Sequence, residues 1–318
     1  MFVGHFAMPF LLLYFLLNTY TELDQSRIII FCIVSGIYGL VADLDILFAF
    51  VEAILFIVNT GNISIDKFWD ISRTFHRQST HSLFVGFLSI IGIVIQSTYI
   101  SDITKPYENI LFDYIISIGC GLMMGFMIND FARGILVSGL FVFCVLSITR
   151  LIRFQISFNK RVVFMSAVIG ILSHPFGDIF TGTPPEFFYP IYQISLERIV
   201  LFANETLNLS VLFLFENFLV VVLILLYANA KNIKINMIRS TLLAAVISGI
   251  IISYVIPSPS INDPYQFVSG ILVLTIAYIF ITSYKKDIRY LLKAPIVSLI
   301  ICIGYILGFA IQLLTQLF

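Results

Sequence analysis

The sequence predicts an all-α, polytopic membrane protein, and three observations predict it. Only 11% of the 318 residues are charged and 59% are hydrophobic, whereas a soluble chain carries about 25% charged residues. Apolar runs close to the length of a membrane span recur from one end to the other. Gly and Pro fall mainly between those runs, and the period-two alternation of a half-buried strand is absent. Such a chain cannot cover itself with polar surface, so its solvent is lipid.

A span needs about 20 apolar residues. In chain order the runs are 28–45, 83–99, 110–128, 134–152, 162–180, 211–228, 238–256, 267–284 and 294–316. Residues 6–17 and 46–58 are shorter. The first reaches span length only if Met1 to Gly4 join it, and the second suits a re-entrant or interfacial helix better than a crossing. The expectation is nine to eleven membrane segments. Residues 1–205 form a helical domain bearing the chemical motifs, and 206–318 a four-helix membrane extension.

The formal net charge is zero, which argues against nucleic acid as a partner. Cys32, Cys120, Cys144 and Cys302 all sit inside apolar runs and read as small buried hydrophobes, with neither metal spacing nor a disulfide framework. Basic residues set the orientation. Arg150, Arg153, Lys160 and Arg161 share one predicted loop, Lys231, Lys234 and Arg239 a second, and Lys285, Lys286, Arg289 and Lys293 a third. Placing those loops in the cytoplasm puts 129–133, 181–210 and 257–266 outside. Residues 59–82 join them if 46–58 does not cross.

Ionisable groups in or at the ends of spans are costly and mark functional candidates. Four places carry them: His5 in G-H-F, Asp43 and Asp45 in V-A-D-L-D-I-L, His76, Arg77 and His81 in T-F-H-R-Q-S-T-H-S, and His174 with Asp178 in L-S-H-P-F-G-D. All four histidines of the chain fall on one predicted face, which polar caps scattered at random would not do. His174 and Asp178 are i, i+4 and share one helix face. Asp43 and Asp45 are i, i+2, so both can serve one site only where the helix ends or unwinds. Imidazole with carboxylate is the ligand mix of Zn²⁺, Mn²⁺ or Fe sites. Seven candidate ligands, namely His5, Asp43, Asp45, His76, His81, His174 and Asp178, exceed one tetrahedral ion, so one or two divalent ions are expected.

In their order these motifs resemble the LexA-binding, inner-membrane-associated hydrolase family (YdjM-like), predicted to be membrane-bound and metal-dependent. The resemblance rests on His5, then Asp43 and Asp45, then His76, Arg77, Thr80, His81 and Ser82, then His174, Asp178, Thr181, Gly182 and Pro190. Ala42 and Gln78 replace the family's Pro and Gly, departures that touch backbone geometry and not the ligands. It covers about residues 1–192, and the last four helices match nothing named. The resemblance strengthens the expected metal site in the inner membrane. With Arg77 suited to a phosphate oxygen and Asp45 or Asp178 to a general base, the expected activity is metal-dependent hydrolysis. A site at the external membrane face makes a phospholipid or lipid-linked phosphoester the expected substrate. The alternative is a non-catalytic transporter or complex subunit whose His/Asp cluster relays protons or holds a structural metal. Polar residues gathered at one face, without internal repeats, favour the enzyme over the transporter.

Overall fold

Asp24 starts the helix at the centre of the molecule. Its side chain accepts the Arg27 N–H at 3.0 Å, an N-cap that satisfies one of the free amides of a first helical turn. In this computed structural model the described residues are 2–45, 54, 56–61, 79–99, 110–155, 160–180, 185–192, 199–201, 205–237, 239–255, 271, 275 and 288–317. Helix α1 covers Phe2–Tyr20 and α2 Gln25–Val41, continued by a 3₁₀ turn at Ala42–Asp45. They are followed by α3, Leu83–Tyr99, and α4, Ile110–Ile128. A π turn at Gly134–Gly139 leads into α5, Leu140–Gln155, and then α6, Lys160–Asp178. The C-terminal part holds α7, Glu205–Ala230, α8, Arg239–Val255, and α9, Ile288–Leu317. No strand occurs among the described residues.

Small residues let the central helices touch backbone to backbone, the packing device of membrane interfaces. Ser35 of α2 donates to the Ser166 carbonyl of α6 at 3.0 Å, and Ser166 donates back to the Phe31 carbonyl at 3.3 Å. A Cβ at Gly39 would collide with the His5 carbonyl of α1, and one at Gly170 with the Ser35 carbonyl. So α2 is clamped between α1 and α6. The Tyr38 hydroxyl reaches Thr149 of α5 at 2.6 Å. Around these contacts lie two apolar cores, one of α2 to α6 side chains including Tyr38, Met124 and Leu146, the other of α1 and α2 including Phe10, Leu13 and Cys32. Farther along, α7 packs on α1 and α9, and α8 packs on α9.

The expected number of spans is corrected. Among the described residues four helices, not nine to eleven, are long and apolar enough to cross a membrane by length and composition: Ile110–Ile128, Gly134–Arg153, Ser210–Ala230 and Leu291–Thr315. Helices α2 and α8 have 17 residues each, about 26 Å at 1.5 Å per residue, which falls short of the ~30 Å hydrocarbon core. Helix α6 is diluted by Lys160, Arg161, His174 and Asp178. Residues 46–58 and 267–284 lie largely outside the described residues. The run at 6–17 does gain the residues before it, giving a helix of 19 residues.

A second correction concerns Arg150, expected in a cytoplasmic loop. It lies inside α5 and is buried, with Nε donating to Asp113 Oδ2 of α4 at 2.7 Å. Gln96 of α3 donates to the other carboxylate oxygen at 2.8 Å and to the Leu146 carbonyl at 3.1 Å. Three helices thus share one buried charged knot.

Ser82 couples the start of α3 to the segment at 185–192. Its hydroxyl accepts the Phe84 N–H at 3.1 Å and donates to the Tyr189 carbonyl at 2.6 Å. Replacing Ser82 by Ala is expected to cost about 1–2 kcal/mol of stability through the lost cap and hydrogen bond. Thermal unfolding in detergent reads this directly. An unchanged midpoint would remove Ser82 from the tie.

Candidate metal centre

Five of the expected ligands arrive at one point from four elements. His5 comes from the first turn of α1, Asp43 from the 3₁₀ turn after α2, and His81 from the turn before α3. His174 and Asp178 come from the last turns of α6. The end of α2 at Val41 supplies the unwinding that the Asp43/Asp45 spacing demands. The i, i+4 spacing puts His174 Nε2 and Asp178 Oδ2 3.7 Å apart on one face of α6.

The separations are those of a coordination shell. His81 Nε2 lies 2.9 Å from His174 Nε2, 3.1 Å from Asp178 Oδ2 and 3.6 Å from Asp43 Oδ1. His174 Nε2 lies 3.5 Å from Asp43 Oδ1. With metal–ligand bonds of about 2.1 Å, tetrahedral edges are about 3.4 Å and octahedral edges about 3.0 Å. His5 Nε2 approaches the other oxygen of Asp178 at 3.2 Å, and its ring stacks on His174 with centroids 3.9 Å apart. Two overlapping triads, His5–Asp43–His174 and His81–His174–Asp178, can hold a metal ion, and all their members are buried.

The partners of the remaining ring nitrogens decide what the site prefers. His174 Nδ1 is 2.5 Å from the Gly39 carbonyl, an acceptor only, so this nitrogen carries the proton and the neutral ring turns the Nε2 lone pair inward. His81 Nδ1 is 2.9 Å from the Thr80 hydroxyl, which can accept in the same way. Two lone pairs and two carboxylates then converge, an arrangement of acceptors that asks for a cation. Ligating histidines ordinarily give their second nitrogen to a carbonyl or hydroxyl in this manner. The donor set therefore fits a divalent transition metal such as Zn²⁺ or Mn²⁺.

His76, Arg77 and Thr181, together with the side chain of Asp45, lie outside the described residues. Three contributors were not expected from the sequence in these roles. The Gly39 carbonyl and the Thr80 hydroxyl orient two imidazoles, and Thr80 at least sits inside a quoted motif. Glu216 of α7 has no motif around it. Its carboxylate accepts the Gly4 N–H of α1 at 2.5 Å, beside His5. An acid inside an apolar run was its one signal.

The family model described as YdjM inner membrane protein matches residues 1–306, well past residue 192 and into the helices that had matched nothing named. No curated protein and no solved structure matches the chain. Together with its apolar helices and the order of its His and Asp motifs, that match settles membership: the chain belongs to the YdjM inner membrane protein family.

Proposed function

We propose that this membrane protein is a metal-dependent hydrolase acting on a phospholipid or lipid-linked phosphoester at the extracytoplasmic face. The observation that carries the reading is the convergence of His81 Nε2, His174 Nε2, Asp43 and Asp178 at the spacing of a coordination shell. One or two divalent ions bound there supply Lewis acidity and acidify water near neutral pH. Asp178 is positioned by His5 on Oδ1 while its Oδ2 faces the Nε2 lone pairs of His81 and His174, a carboxylate placed to take a proton from attacking water. Asp45 is the second candidate for that role. Arg77, four residues before His81, has a planar fork that grips a phosphate oxygen in two places. The outward orientation is supported by Lys231 and Lys234, which lie between α7 and α8, and by Arg239, the first residue of α8, all beyond the end of α7 distant from Glu205.

The test joins metal content with turnover. Purified protein is expected to retain one or two equivalents of Zn²⁺ or Mn²⁺ and to hydrolyse a phosphoester lipid. His81→Ala should lose both. Arg77→Lys should keep the metal while hydrolysis falls, because charge is preserved but the fork is not. Retained metal without hydrolysis of any lipid phosphoester would favour the non-catalytic reading, a structural metal or proton relay. A folded protein that binds neither added ion would end both metal readings.

A further inference from the structure

Glycine and apolar side chains along α1 enclose a second feature beside the cluster. A cavity of about 360 Å³ lies between α1, the end of α6 and α7, a size in the ~300–1,000 Å³ range of small-molecule sites. The few polar groups of its lining meet where Gly4 and His5 face Gly177 and Glu216. The rest of the lining is apolar, running along α1 from Met8 and Leu12 to Phe15, with Leu212, Phe215 and Leu219 contributed by α7. The outer wall is open, since Leu12 is 44%, Phe15 64% and Phe215 59% exposed.

His5 is the wall shared by the two sites. Its ring stacks on His174 and touches Asp178 on one side, while its Nδ1 faces Gly177 at the cavity, where an added Cβ would come within 3.1 Å. From Gly4 to Phe15 the groove runs roughly 16 Å at 1.5 Å per helical residue. That is about half of the ~30 Å hydrocarbon core, the depth of one leaflet. An almost wholly apolar trough about one leaflet deep that touches His5 suits an amphiphile with one chain laid along α1.

We propose that this cavity binds one hydrocarbon chain of a membrane lipid and so presents the lipid's head group to the cluster through His5. The assignment rests on the hydrolase reading for its purpose, and it deepens that reading by naming how the substrate is held. A phosphate-bearing lipid would enter sideways from the bilayer, with the open wall at Phe15 and Phe215 as its door. Glu216, held by the Gly4 amide, lines the cavity beside His5.

The full chain, reconstituted in vesicles of phosphatidylethanolamine and phosphatidylglycerol, can be probed with phosphatidylglycerol carrying a chain-terminal diazirine. Photolabelling of Leu12, Phe15 and Phe215 is expected to saturate with probe. Labelling of Leu111 and Phe126, exposed on α4, should rise linearly as bulk lipid contact does. Met8→Trp and Leu212→Trp fill the cavity from opposite walls, and each should lower the saturable labelling about tenfold, the cost of excluding two methylenes. Metal content, measured on the same samples, is expected to stay at the wild-type level. Linear labelling at α1 and α7 in the wild-type protein would overturn the proposal, as would saturable labelling unchanged in both variants. Absence of metal with saturable labelling would instead defeat the hydrolase reading and leave the chain site standing.

Discussion

Asp178→Asn should release metal from the purified protein, the largest effect expected of any single substitution in the cluster. Asp178 lies within 3.7 Å of three imidazoles: His5 on Oδ1 and His81 and His174 on Oδ2. Asn keeps the shape but removes the negative charge and puts an amide N–H₂ where a lone pair was. Loss of an outer partner of a metal ligand ordinarily costs about 10–100-fold in affinity, and loss of a shared ligand should exceed that. Thr80→Val is the graded control. It removes only the hydroxyl on His81 Nδ1 and should stay within about 10–100-fold. Equilibrium dialysis followed by elemental analysis measures both. An Asp178→Asn protein with wild-type metal would show that the acceptors converge for another reason.

Arg150→Leu is expected to be the most destabilising change outside the cluster. Asp113 and Arg150 are both buried, with Arg150 Nη2 and Nε each 2.7 Å from Oδ2. Removing one partner of a buried pair leaves a charge that neither water nor protein satisfies, at a cost of about 3–5 kcal/mol. Gln96 cannot compensate, because it offers Asp113 a single amide hydrogen bond at 2.8 Å. The double substitution Asp113→Leu with Arg150→Leu should recover most of the loss, since a well-packed apolar pair often equals or exceeds the ion pair it replaces. Unfolding midpoints of the two singles and the double form the required cycle. Singles as stable as the wild type would mean that the pair is already solvated.

These two sites differ in how far the sequence discloses them. His5, Asp43, His81, His174 and Asp178 were legible because each interrupts apolar sequence where a charge is costly, and the helical period alone placed His174 and Asp178 on one face. The i, i+2 spacing of Asp43 and Asp45 required the helix to end or unwind if both were to serve one site, and a 3₁₀ turn does follow Val41. Arg150 was misread for a physical reason. A cation near the end of an apolar run has the same local sequence whether it meets water or a carboxylate on another helix, and Asp113 lies in a different run altogether. The span count failed similarly, because hydropathy windows register apolar runs without registering that helices such as α2 stop short of a bilayer's thickness. Glu216 stood out as an acid in an apolar helix, but its partner, a backbone amide of α1, leaves no mark in sequence.

The scattering of the five candidate ligands has a consequence for biogenesis. His5 enters the membrane early in synthesis, yet Asp178, its carboxylate partner, is made only after α2 to α5 are complete. Until the last turns of α6 are inserted, the imidazole of α1 has Asp43 near it but lacks Asp178 and the His174 ring on which it stacks. The cluster therefore closes only once α6 is in place, as a latch across helices laid down at very different times. An ion that binds only the closed latch would stabilise the assembled bundle by about 2.7 kcal/mol at a hundred times its dissociation constant. Metal supply would then govern how long newly made chains survive quality control, before any question of turnover arises.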